Sequence, residues 1–64
     1  MIDKLSIGLK AIAHATPTPY SMGPEVGRGV IRAYMDQPMV LVEDEEGKTF
    51  WWVAQQMEVI GDGK

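Results

Sequence analysis

The chain has no cysteine, which removes disulfides and thiolate metal sites. Its one histidine, His14, has no second imidazole and no carboxylate cluster nearby in sequence to complete a tetrahedral or octahedral centre. A metal staple is not expected. No apolar run approaches the roughly 20 residues of a membrane span, and Asp3 interrupts the start, where a signal peptide needs an apolar stretch. The expected location is the cytoplasm. Positive charge is also sparse, with six Lys and Arg against nine Asp and Glu and a net charge of -3. Lys4, Lys10, Arg28, Arg32, Lys48 and Lys64 are scattered, whereas a phosphate-binding surface gathers its cations on one face. Only Arg28 and Arg32 stand close together, so nucleic-acid binding is disfavoured.

These absences leave a single 64-residue domain without the usual staples. A domain of this size buries only about 60% of the surface its unfolded chain exposes. Stability must then come from tight packing of large apolar residues or from an oligomer. Five methionines, two tryptophans and a hydrophobic content of 45% supply the material for either, and argue against disorder.

Along the chain, Ile2, Leu5, Leu9 and Ile12 recur at spacings of three, four and three, the apolar stripe of an amphipathic helix that Asp3 would cap. Against it stand Gly8, which costs about 1 kcal/mol in a helix interior, and the alternation of Ser6, Lys10 and His14 with apolar neighbours as in a strand. The stripe favours a helix over residues 1–15. Residues 16–24 include TPTPYSMGP, whose three prolines and glycine halt regular structure, making this segment a connector. Then come VGRGVIRAYM, PMVLVED, KTFWWV and MEVI, short runs rich in Val, Ile, Met and aromatics and separated by turn residues. That spacing predicts an all-β meander or small barrel over residues 25–60, with a tail at 61–64. The turns fall at DQP (36–38) and EEGK (45–48), with Gly47 suited to a left-handed position. Gly27 and Gly29 mark a bulge or sharp bend in the first of these strands.

The stretch VLVEDEEGKTFWWVAQQMEVI resembles the second half of an SH3-like barrel: strand, tight hairpin, strand, a 3₁₀ turn at Val53 to Gln56, and a closing strand from Met57 to Ile60. The fold this implies is mainly β, a small barrel of four to five antiparallel strands, here preceded by the N-terminal helix. The layout of roughly the last 35 residues is also similar to the plasmid-borne type II dihydrofolate reductases, which assemble as tetramers around one pore. Their active-site tetrapeptide Val-Gln-Ile-Tyr would fall near Thr49 to Trp52, where this chain reads TFWW. The ligand-contacting glutamine is missing, and the reductase activity is not carried over. The Ala-Leu-Tyr-Asp-Tyr and Pro-Ser-Asn-Tyr motifs of the SH3 peptide groove are absent as well.

Neighbouring side chains on a strand point to opposite faces, so Trp51 and Trp52 cannot share one core. The outward tryptophan is either covered by the N-terminal helix or serves as a recognition anchor, since Trp and Tyr are enriched at interface hot spots. Phe50, Tyr34 and Tyr20 would extend such a contact patch, with Arg28 and Arg32 at its edge. Methionines serve both cores and adaptable surfaces, and do not discriminate. The acidic run Glu43 to Glu46 reads first as a solvated hairpin tip that blocks edge aggregation, with mimicry of nucleic-acid phosphates or docking on a basic partner as the alternative, which only its sign supports. Nothing suggests catalysis: His14 has no relay partner in sequence, a lone histidine at a helix end reads as a favourable charge there, and GRG between strands opens no phosphate-binding helix. No cofactor motif occurs.

The sequence thus points to a non-enzymatic binding module that associates with itself or another protein through an aromatic patch. The alternatives are a nucleic-acid-binding barrel using Arg28, Arg32 and Lys48 on phosphates with an aromatic stacked on a base, and an oligomeric pore-type reductase. The small size, without cofactor motif or targeting segment, suits a protein of a phage, plasmid or other mobile element.

Overall fold

A computed structural model of the chain describes residues 2–15 and 23–62. It contains five strands, β1 (Leu9–His14), β2 (Glu25–Met35), β3 (Met39–Glu43), β4 (Thr49–Val53) and β5 (Met57–Asp62), and two 3₁₀ turns, Lys4–Ser6 and Ala54–Gln56. The strands form one antiparallel sheet in the order β4-β3-β2-β1-β5.

The long strand β2 organises the sheet. Its first half pairs with β1 up to Lys10 opposite Val30, and its second half pairs with β3 from Val30 opposite Glu43 onward. The register shifts between Ile31 and Ala33, leaving Arg32 as the extra residue of a bulge. A bulge bends and twists a strand, and glycine permits the bend here. A Cβ added to Gly29 would lie 2.1 Å from the Glu43 carbonyl oxygen, and one on Gly27 would lie 3.3 Å from the Phe50 ring. Phe50 belongs to β4, two strands away in the sheet, so the sheet curls far enough to bring an edge strand over the start of β2. The Trp52 indole completes the curl by donating to the His14 carbonyl oxygen on β1 at 2.8 Å. This is an arrangement compatible with a small barrel.

The interior is compact because small residues face it. Ala11, Ala13, Ile31, Val40 and Val42 are fully buried, joined by Ala54 and Met57, with Ile2, Tyr34, Phe50 and Trp52 packed around them. The Asp44 to Lys48 turn is held by the Asp44 carboxylate, which accepts the N–H groups of Glu46 and Lys48, both at 2.9 Å. Gly47 takes φ +82° there, the left-handed conformation expected from the sequence.

The N-terminal segment corrects the sequence reading. No α-helix forms: Asp3 caps only the Lys4–Ser6 turn, accepting the Leu5 N–H at 2.8 Å, and Leu9–His14 is a strand. Gly8 at φ +95° ends the turn, and its N–H docks on the Ile31 carbonyl at 2.7 Å. Leu5, placed on the buried stripe by the helical spacing, is 85% exposed, while Ala11 and Ala13 face the core. The true period is two. Its core-facing members, Ala11 and Ala13, are small, and the larger Ile12 between them lies on the opposite face, so the large residues alone keep a helical spacing. The last strand also runs two residues beyond the expected Ile60, to Asp62. Among the described residues no helix is long and apolar enough to cross a membrane.

Candidate functional site

Strand β4 sorts the aromatic residues. Phe50 and Trp52 are half-buried and packed against the core, edge to face with centroids 6.2 Å apart and planes at 82°. Thr49, Trp51 and Val53 face outward, with Trp51 44% exposed. Among the described residues no helix lies over Trp51, and the segment expected to form one is strand β1.

Register then assembles a surface around it. Trp51 lies opposite Leu41, and Leu41 opposite Ala33; Val53 lies opposite Met39, and Met39 opposite Met35. On β3, the buried Val40 and Val42 alternate with Met39 and Leu41, which are half-exposed. The outer face of β2, β3 and β4 thus carries two adjacent cross-strand rows, Ala33-Leu41-Trp51 and Met35-Met39-Val53, without a charged side chain in either. The hairpin at 44–48 sets this alignment, and a slip of one residue would turn every side chain of β4 to the opposite face.

The other expected contact residues fall elsewhere. Tyr34 packs against the core, as Phe50 and Trp52 do, and Tyr20 lies outside the described residues. Arg28 is exposed on β2 and makes a two-pronged pair with Glu25, at 2.9 and 2.7 Å; the guanidinium holds the Glu25 carboxyl below its ordinary range. Arg32 donates to Glu43 at 2.9 Å and Lys48 lies 3.6 Å from Glu46. The cations are interleaved with carboxylates, and no bare basic stripe results. Sequence reasoning put Val53 on one face with Trp51 and left Met35 and Met39 between core and patch, with core preferred; it missed Ala33 and Leu41. The signal for Leu41 was present in the period-two pattern of PMVLVE folded back on TFWWV.

A second cluster surrounds His14. Its Nδ1 lies 2.8 Å from the Gly23 carbonyl oxygen and its Nε2 2.9 Å from Glu58 Oε1. Both neighbours only accept, so the imidazolium is the form that satisfies both, and the His14 pKa rises above its ordinary 6.5, chiefly through Gly23 and then Glu58. The His14 carbonyl accepts from Trp52 Nε1 and, at 3.2 Å, from Gln56 Nε2. The residue expected to sit at a helix end instead ties β1 to β5, β4 and the entry to β2. Among the described residues no three potential metal ligands come together. A cleft of about 500 Å³ opens beside Tyr34, Pro38, Gln55 and Met57, and among the described residues its lining holds no carboxylate, amine or imidazole.

No protein-family model, curated protein or solved structure matches this chain.

Proposed function

We propose that the chain is a small SH3-like barrel acting as a non-enzymatic binding module, with the outer face of β2, β3 and β4 around Trp51 as its contact surface. The barrel assignment is supported by the sheet order, by the division of β2 between two partners, and by the 3₁₀ turn between β4 and β5. The functional reading is carried by one observation: two adjacent rows of apolar side chains stand on the solvent side of the sheet, with an exposed tryptophan at their edge. A contiguous apolar patch costs solvation unless something covers it, and such patches mark interaction surfaces. A tryptophan with Leu41 opposite and Met39 on the diagonal is a suitable anchor, because it buries a large area with few rotamers to lose.

Self-association is the reading that also addresses stability, since the core is small and the chain has no disulfide. The ion pairs of Arg28, Arg32 and Lys48 favour this face over phosphate binding, which would have to break them. Light scattering on chromatographic fractions tests the reading. The native chain should elute as an oligomer that dissociates on dilution, and Trp51→Ala should be monomeric with an unchanged far-ultraviolet spectrum. An association constant untouched by Trp51→Ala would remove this face as the contact surface, and nucleic-acid affinity falling steeply with salt would favour the phosphate-binding alternative.

A further inference from the structure

The main chain of β4 carries a second kind of information. At one end of the β3–β4 pair the Asp44 N–H donates to the Lys48 carbonyl at 2.9 Å, and at the other the Ala54 N–H donates to the Pro38 carbonyl at 3.0 Å. Antiparallel ladders bond at every second residue pair, and the register between these ends is unbroken. The ladder bonds of β4 therefore pass through Phe50 and Trp52. The N–H and C=O groups of Thr49, Trp51 and Val53 point away from β3, toward the free edge, beyond which no strand lies among the described residues.

The two edges of the sheet are built differently. Strand β5 has devices that discourage pairing: the exposed Glu58, a register shift against β1 that leaves Ile60 extra, and Gly61 at φ +151°. Strand β4 has none of these. Thr-Phe-Trp-Trp-Val is uncharged, free of proline and bulges, and composed entirely of residues that favour strands.

We propose that β4 pairs antiparallel with β4 of a second copy about a two-fold axis at Trp51, joining two sheets into one. This rests on the reading of the Trp51 face as a self-associating surface and specifies its geometry. The outward groups of Trp51 exchange bonds with those of Trp51 in the second copy, and Thr49 does so with Val53 on either side. The side chains complement themselves under that symmetry, with the two indoles side by side and a β-branched pair flanking each end. Charge agrees with it. In this register Lys48 falls opposite Ala54, and Gly47 and Glu46 fall opposite Gln55 and Gln56, so each acidic hairpin meets the uncharged turn of the other copy. That matters for two chains of net charge -3. The two apolar faces become neighbours on one side of the joined sheet.

The experiment is amide hydrogen exchange by NMR on the full chain, dilute and concentrated, with light scattering on the same samples. The expected result is a dimer in which the Thr49, Trp51 and Val53 amides exchange about 10-fold or more slowly than in the monomer. Trp51→Lys, which sets two ammonium groups face to face, should weaken the dimer about 100-fold while the Phe50 and Trp52 amides stay protected. A dimer whose three outward amides still exchange as in the monomer overturns edge pairing and leaves the apolar-face reading standing. A monomer at every concentration overturns self-association as well.

Discussion

Replacing each tryptophan separately by alanine, at concentrations low enough for the chain to be monomeric, separates core from surface at neighbouring positions. Removing a buried Phe or Trp side chain costs about 3–5 kcal/mol, and the half-burial of Trp52 reduces its packing share to about 2 kcal/mol. To this are added about 0.5–1.5 kcal/mol for the edge-to-face contact with Phe50 and about 1 kcal/mol for the indole bond to the His14 carbonyl. The expected loss for Trp52→Ala is about 4 kcal/mol. A 64-residue domain has a total stability of about 3–10 kcal/mol, so this variant should be close to unfolding. Trp51 has cross-strand contact with Leu41 and no core neighbour, so Trp51→Ala should cost about 0.5–1 kcal/mol. Urea unfolding followed by circular dichroism and by the remaining tryptophan reads the difference. With a slope of about 1 kcal/mol per molar urea, the midpoint moves by about 4 M for Trp52→Ala and by 1 M or less for Trp51→Ala. Should Trp52→Ala not fold at all, Trp52→Phe, which keeps a ring and loses the indole bond, should cost about 1–2 kcal/mol. Equal losses for the two alanine variants, or a larger loss at Trp51, would refute the assignment of faces.

Gly29→Ala should cost about 3 kcal/mol, because its Cβ would lie 2.1 Å from the backbone oxygen of Glu43 and β3 itself would have to shift; a thermal midpoint equal to that of the native chain would mean that β2 and β3 do not approach so closely. Stability should also depend on pH through His14. Its pKa is raised in the fold by the Gly23 carbonyl and Glu58, with Glu25 adding to the field. The charged form therefore stabilises the fold: the contribution is complete below 6.5 and is lost as pH rises through the folded value. Urea midpoints should fall over that window in the native chain and stay flat in His14→Gln, and identical profiles would show that the imidazolium bonds contribute nothing. On the acid side the sign reverses, since Glu25, held low by Arg28, stabilises above its unfolded value of 4.5 and loses that contribution on protonation.

The β half of the chain was readable in detail because its cues are local. Gly47 and the acidic turn define a hairpin within a few residues, and alternation in TFWWV separates Trp51 from Trp52 without reference to anything distant. The AQQ turn and the strand that follows it were legible for the same reason. The N-terminal segment was not, because two periodicities compete in it. The stripe of large residues is helical in spacing, and strand formation depends on Ala11 and Ala13 finding β2 on one side and β5 on the other. Alanine is a strong helix former, so only partners 14 to 48 residues away in sequence decide in favour of the strand. The proposed contact surface was half legible. Trp51 was named, but its neighbours come from β2 and β3 through register, and Phe50, Tyr34 and Trp52 belong to the interior.

Taken alone, the sequence determined the absence of covalent cross-links, the mainly β character, the positions of the turns, and the opposition of the two tryptophans, all set by composition or by residues within a turn of one another. Tertiary structure alone decided that the first segment is a strand, that Glu58 reaches His14 across 44 positions, which tryptophan faces water, and which edge of the sheet is left unguarded. Those outcomes depend on which strands become neighbours when the sheet curls, and that is settled by burying Ile31, Val40 and Val42 together, a gain shared by the whole chain and carried by no single stretch of it.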